Sequence, residues 1–261
     1  MCGSPRSPYE RIVYEPKPTL ARRFSRCSGC GYLQIEELSS DRYRGQTSLD
    51  HLPNVGGDRL GTETAPGREF KMARMAVRAL DRSQVDVMIY GIGRSLDNLH
   101  IQRLPRVGTV AIGDIVHLRD DAEFHDVNEK ARKRFTVVVA SEVVEHFRSP
   151  QADFAKLFGF VARDGLLICA TNVYRGGDLT QDRYPFWPDH TSYYTGEALV
   201  EIARRGRFAV DFRTPRIAWP IGRKRFAFFS RSPEVMQRVA LHFASHTLAP
   251  SEDPPAELGV P

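Results

Sequence analysis

With 261 residues, 41% of them hydrophobic and 26% charged, the chain can bury one sizeable core and is not a candidate for wholesale disorder. No stretch approaches the roughly 20 consecutive apolar residues that span a bilayer, and the first residues lack the apolar region of a signal peptide. A cytoplasmic protein without membrane insertion is expected, and four cysteines with no even framework fit a reducing compartment. The net charge of +5 is uneven, with ten Lys or Arg against three acids between residues 201 and 250. Such a face either attracts a phosphorylated, nucleotide-linked or nucleic-acid partner or serves as a solvated basic surface.

Residues 1–68 are rich in Pro, Gly, Arg and Ser and show no sustained period, which predicts a loop-built lead outside any sheet. Within it, Cys27-Ser-Gly-Cys30-Gly31 has the C-x-x-C-G form of a tight turn that presents two thiolates to one tetrahedral ion, and Cys2 is a further thiol. Residues 69–232 change character. Glu69 to Asp81 carries apolar residues at helical spacing, and short apolar runs follow at Val85–Tyr90, Thr109–Ile112, Ala122–His125, Phe135–Ala140 and Leu166–Ala170. Strands alternating with longer connections predict a parallel sheet covered by helices on both faces. Two further strands, Phe208–Arg213 and Arg225–Ser230, close this region, and residues 233–261 form a helix over Pro233–Ala244 and a Pro-rich tail. Cys169, inside a strand, reads as a small buried apolar residue.

The turn Tyr90-Gly91-Ile-Gly93-Arg-Ser95-Leu96 directly follows the first central strand. A glycine pair there lets the chain turn sharply and a ligand approach main-chain N–H groups. Leu96 stands where a dinucleotide fingerprint needs its third glycine, which counts against a nicotinamide enzyme. Ser95 is small enough for close approach and can cap the next helix. Asp114, about 20 residues on, ends the second strand where a carboxylate can accept both ribose hydroxyls, or simply close a turn. Asp126 is the candidate for an adenine amino group, with Asp120 and Asp121 competing.

The run Phe135-Thr-Val-Val-Val-Ala-Ser-Glu142 is a strand buried on both faces that stops at a polar residue on the sheet's carboxyl edge, where open α/β sheets bind ligands. Glu142, Glu145 and His146 invite a metal reading, but the zinc pattern H-x-x-E-H lacks its first histidine. His146 is instead a candidate general base, or a residue that pins its loop. His190 is a second candidate, inside a loop that holds Tyr184, Phe186, Trp187, Tyr193 and Tyr194. Those aromatics either form an apolar lid over a substrate or pack under the crossover.

Phe135, Val137 to Val139, Glu142, Val143, Val144, Glu145, His146 and Pro150, together with Asp189-His190, Tyr193-Tyr194 and Thr195-Gly-Glu-Ala-Leu199, resemble class I methyltransferases that use S-adenosylmethionine. The likeness covers roughly Phe70 to Arg231. It implies a Rossmann-like seven-stranded mostly parallel sheet with helices on both faces and an antiparallel last strand. It also implies S-adenosylmethionine as cofactor at Gly91, Gly93, Ser95, Asp114, Asp126 and Glu142, and His190 or His146 as base. The expected acceptor is a small molecule or a glycan-type compound. The chain departs from the family at Thr136, where an acid is usual, and twice in the glycine turn, with Ile89 for the supporting acid and Ser95 for the third glycine. Relatives carry cysteine knuckles ahead of this domain, which implies a structural zinc at Cys2, Cys27 and Cys30, with Cys2 as the tail of a first knuckle. Two alternatives remain: a non-catalytic cofactor-binding module, favoured by Ile89 and Ser95, and an RNA-modifying enzyme, favoured by the basic C-terminal half but lacking an aromatic-basic stacking motif.

Overall fold

The computed structural model describes residues 2–36, 60–187, 189–215 and 222–248. Three short strands come first: β1 (Glu10–Val13), β2 (Ala21–Arg26) and β3 (Leu33–Ile35). The first helix, α1 (Arg68–Leu80), turns Met72, Ala73, Ala76, Val77 and Leu80 inward, the spacing that makes a helix amphipathic. Then follow β4 (Val85–Tyr90), α2 (Asp97–Ile101), β5 (Val107–Asp114), β6 (Glu123–Asp126), β7 (Phe135–Ser141), α3 (Pro150–Gly159) and β8 (Val161–Tyr174). The chain continues through β9 (Ser192–Thr195), α4 (Gly196–Gly206), β10 (Ala209–Arg213), β11 (Lys224–Ser230) and α5 (Pro233–Leu248).

β6, β5, β4, β7 and β8 lie side by side in that order and all parallel. β11 adds antiparallel to β8, and β10 antiparallel to β11. Strand order reverses at β4, whose neighbours β5 and β7 follow it on opposite sides, so a crevice opens at the carboxyl ends of β4 and β7. Val137, Val139, Ile89 and Ile168 face α1 and α5, while Val138, Ala140 and Leu167 face α3 and α4. Apolar side chains on both faces are what a doubly covered parallel sheet requires.

The sheet is larger than the expected seven strands: eleven are joined among the described residues. The expectation of a loop-built lead is corrected, because β1, β2 and β3 form an antiparallel meander that joins the sheet through β9. These strands are three to six residues long and rich in arginine, so their alternation is too brief to register as a period. β9 pairs with the far end of β8 at Val173 and Tyr174, beyond the point where β7 stops pairing at Ala170. The Pro-rich tail lies outside the described residues.

Helix ends are secured from several sources. Thr195 Oγ1 accepts from Ala198 N at 3.0 Å to cap α4, and Pro150 opens α3 where its missing N–H costs nothing. α1 has no cap of its own. Asp97 of α2 supplies one, accepting from Gly67 N at 2.6 Å and Phe70 N at 3.0 Å.

Ile168 is fully buried, between Val139 of β7 and Phe228 of β11. Ile168→Ala should cost about 2–5 kcal/mol in chemical denaturation. Leu241→Ala, on the exposed side of α5, should stay within about 0.5 kcal/mol.

Candidate active site

The crevice between β4 and β7 is lined first by the glycine turn. Gly91 has φ +70° and Gly93 φ +55°, the left-handed region that glycine adopts without a Cβ penalty. A Cβ on Gly91 would come within 2.6 Å of Val143 Cγ2, whereas one on Gly93 would meet nothing within 4 Å. Gly91 is thus packed under the turn that follows β7, and Gly93 leaves open space above main-chain N–H groups. Gly91 N donates to Gly113 O at 2.7 Å, tying this turn to the end of β5.

Asp114 closes β5 beside it. Its carboxylate accepts from Ile115 N at 2.7 Å and from Gly93 N at 3.4 Å. Burial holds its pKa above the ordinary aspartate value, opposed by those N–H donors and by Arg119. Asp126 is in register with Asp114 on the next strand, and its Oδ1 accepts from the Asn128 backbone N–H at 2.8 Å and side chain at 2.9 Å. Asp121 is bound instead to Arg119 and Asn98, and Asp120 lies beside exposed His117.

Ser95 is fully buried and turned away from the crevice. Its hydroxyl donates to Glu69 Oε2 at 3.2 Å and accepts from Gly61 N at 3.1 Å; it does not cap α2 in the usual way, since that helix starts one residue later with a long 3.4 Å contact from Asp97 N. Ser95 therefore bears on a cofactor through the loop's position, not by direct contact of its side chain.

The second wall is the turn after β7. Glu142 takes φ +55°, an uncommon conformation for a side-chain-bearing residue that is often found at functional turns. Its carboxylate forms an ion pair with Lys224 of β11, so it stands apart from Glu145 and His146 and does not share a metal with them. Val144–His146 form a single 3-10 turn, and Glu145 is fully buried beneath it. Tyr184 Oη donates to Glu145 Oε1 at 2.7 Å and Thr171 Oγ1 to Oε2 at 3.2 Å.

His146 and His190 meet over Glu145. Their rings are 5.1 Å apart at 78°, and a Glu145 oxygen and one nitrogen of each ring all lie within 4.8 Å of one another. His146 Nδ1 is 3.0 Å from Asp189 O and His190 Nδ1 is 2.7 Å from Tyr184 O. A carbonyl can only accept, so in the neutral rings Nδ1 carries the proton and Nε2 the lone pair. Burial pushes His190 down to about 4, against the attraction of Glu145. His190 is consequently neutral at physiological pH.

The aromatic loop divides between the two expectations. Tyr193 and Tyr194 are fully buried; Tyr194 donates to Val144 O at 2.9 Å and Tyr193 to Asp182 at 2.7 Å, so both act as packing residues. Trp187 is 41% exposed, with Arg183 over its ring at 4.8 Å. The sequence reading missed Arg22, whose guanidinium donates to His190 O at 2.8 Å from β2. It also missed Arg119, which donates to Ser95 O at 2.6 Å and to Asn98 at 2.8 Å. No local pattern marks either arginine, since each acts across a gap in sequence.

Near the N-terminus, Cys2, Cys27 and Cys30 bring their sulfurs within 4.8 Å of one another, with Cys2 and Cys27 at 3.2 Å. Gly31 has φ +67°, the conformation expected after a C-x-x-C turn. Ser4 and Cys27 lower Cys2 to about 6, while burial raises Cys30 to about 11. Three thiols fit a metal's donor chemistry but supply three of the four ligands of a structural zinc.

Much of the basic C-terminal half is paired. Arg204 and Arg205 bind Glu201, Arg213 binds Asp211, Arg223 binds Asp182, and Arg238 binds Glu234. This local neutralisation fits a solvated surface better than a nucleic-acid track.

Among curated proteins, none matches the chain. Several solved structures resemble part of the chain at low identity. The 1,6-didemethyltoxoflavin N1-methyltransferase of Burkholderia thailandensis is 16% identical, with a TM-score of 0.46 over 62% of this chain and 76% of that one. An O-methyltransferase family protein from Burkholderia thailandensis is 18% identical, with a TM-score of 0.49 over 62% of this chain and 55% of that one. The profile of the methyltransferase domain family matches residues 66–211, more than half of the sequence, including the glycine turn, Asp114, Glu142, Glu145 and both histidines. The chain belongs to that family, the class I methyltransferases that use S-adenosylmethionine.

Proposed function

We propose that S-adenosylmethionine lies across the carboxyl ends of β4, β5 and β7, with its amino-acid end over Gly91 and Gly93 and its ribose on Asp114, and that its methyl passes to a small-molecule or glycan-type acceptor. Asp126 is the neighbouring acid for the adenine side, and Glu142 with Lys224 closes the crevice at β7. The observation that carries the reading is the pair of imidazoles set over buried Glu145 at the same sheet edge as the glycine turn.

Methyl transfer is an in-line displacement in which the acceptor attacks the sulfonium methyl and the thioether leaves, so the protein's work is alignment and exclusion of water. An O–H or N–H acceptor must also lose a proton. His190 binds a proton too weakly for that task at neutral pH, since a general base works best near the operating pH. His146 is less buried than His190 and its Nε2 can receive the proton. His190 and Glu145 then act as its setting, with Glu145 stabilising the imidazolium that forms.

Cys2, Cys27 and Cys30 would hold a structural zinc with a fourth ligand from solvent or from residues outside the described ones. Such an ion would tie the residues before β1 to the turn between β2 and β3, a role of fastening. The catalytic residues do not depend on it for chemistry.

Isothermal titration should show binding of S-adenosylhomocysteine, and Asp114→Ala should weaken it by about 1.5–3 kcal/mol, the usual contribution of a hydrogen bond to a charged group; no heat for either cofactor form with folded protein would overturn the reading. His146→Gln should leave cofactor affinity near parental and lower turnover by about 10² to 10⁴, with His190→Gln milder. If the first variant methylates the natural acceptor at the parental rate, His146 is not the base.

His190 also sets an acid limit. Its folded-state pKa lies below its unfolded value, so the unfolded chain gains the proton first and stability falls as pH drops from about 6.5 to about 4, on the order of 3 kcal/mol in all. His190→Gln should flatten that part of a stability-against-pH curve. Elemental analysis of protein purified without chelator should find zinc; less than about a tenth of an equivalent would leave the three thiols as a packed turn.

A further inference from the structure

The chain departs from the methyltransferase pattern twice at the glycine turn, with Ile89 in place of an acid and Ser95 in place of a third glycine. Ile89 is fully buried in the apolar layer beneath α1 and offers nothing to the glycine turn. Two residues along the turn from Gly93, the Ser95 hydroxyl reaches Glu69 Oε2 at 3.2 Å. Glu69 sits in the first turn of α1, 1% exposed. A glycine at position 95 could make no such bond. The hydroxyl that stands in the glycine's place thus connects a buried acid of α1 to the loop.

We propose that Glu69, acting through Ser95, is the positioning residue for the cofactor's amino-acid end, in place of the acid absent at position 89. This rests on the reading of the crevice as the S-adenosylmethionine site. Glu69 contributes a negative charge behind the loop and does not touch the cofactor. The cofactor carries a sulfonium and an ammonium against one carboxylate, so a fixed carboxylate behind its amino-acid end favours binding.

Burial raises Glu69 to about 7 despite Arg68 at its side. The charged and titratable groups facing it among the described residues are few. Arg68 Nε is 2.6 Å from Oε1 on its own helix. Asp97 of α2 shares a side-chain hydrogen bond with Glu69 that favours its protonated form, while also accepting from Gly67 N and Phe70 N. From the β5–β6 connection, Arg119 holds the Ser95 carbonyl. As pH rises through about 7, Glu69 loses its proton and the charge behind the loop appears.

The test is titration of S-adenosylhomocysteine and S-adenosylmethionine into the parental protein, Glu69→Gln and Ser95→Gly, each at pH 6 and pH 8. The parental protein and Glu69→Gln should bind S-adenosylmethionine nearly alike at pH 6 and differ on the order of tenfold at pH 8, with a smaller difference for S-adenosylhomocysteine, which lacks the sulfonium. Titration of the cofactor's own amino group is common to both proteins and cancels in the comparison. Ser95→Gly should bind more weakly than the parental protein, although it restores the family's glycine. Equal affinities for Glu69→Gln and parental at pH 8, or an equal loss at both pH values as a general loosening would give, overturn the proposal. Tighter binding by Ser95→Gly also overturns it. A parental protein that binds neither ligand overturns the cofactor reading itself, an outcome distinct from the others.

Discussion

The site depends on how the turn after β7 is held. That turn carries Glu145 and His146, yet it is only three residues of 3-10 helix and could not keep its geometry alone. It is held from β9 and the residue before it. Thr191 N donates to Glu145 O at 2.9 Å, the Thr191 and Ser192 hydroxyls converge on Phe147 O at 2.8 and 2.7 Å, and Tyr194 Oη takes Val144 O. Three carbonyls of one turn are thus satisfied by one neighbouring segment, and the same segment brings His190 beside His146. The positions of His146 and His190 are therefore set together.

That segment is in turn braced by the N-terminal meander. Ile35 N donates to Thr191 O at 3.0 Å, Gln34 Nε2 reaches the same carbonyl at 2.9 Å, and Tyr32 Oη meets Ser192 Oγ at 2.6 Å. Phe24 and Tyr14 pack on Phe186, with centroids 5.6 and 5.5 Å apart. The result is a layered support in which the meander holds β9 and β9 holds the turn after β7. Rigid backing of this kind is what lets an alignment-driven reaction proceed, since misplacement by an ångström is expensive there.

The central sheet was legible because its strands are long, apolar and evenly punctuated; the expected Val85–Tyr90 matches β4 end to end. The glycine turn, Asp114 and the two histidines were legible too, because each sits at a strand end or in a compact motif. The three N-terminal strands were not, since Arg22, Arg23 and Arg26 interrupt the apolar pattern and their burial comes from β9 rather than from their own composition. Glu142 and Ser95 illustrate a different limit. Sequence placed both at the crevice, but whether a side chain faces a ligand or an internal partner is decided by Lys224 and Glu69, 82 and 26 residues away. Glu69 itself, an acid in an amphipathic helix, looks like any first-turn glutamate.

Because β9 lies between β3 and β8, the boundary that sequence composition suggests near residue 68 cuts through a continuous ladder. Removing the first 36 residues would strip Leu33 and Gln34 from Tyr193 and Ser192, leaving an unpaired apolar strand edge beside the catalytic turn. Such an edge recruits other chains. A fragment that begins at α1 and keeps the whole crevice would thus tend toward aggregation, and the N-terminal meander acts as an intramolecular guard against self-association.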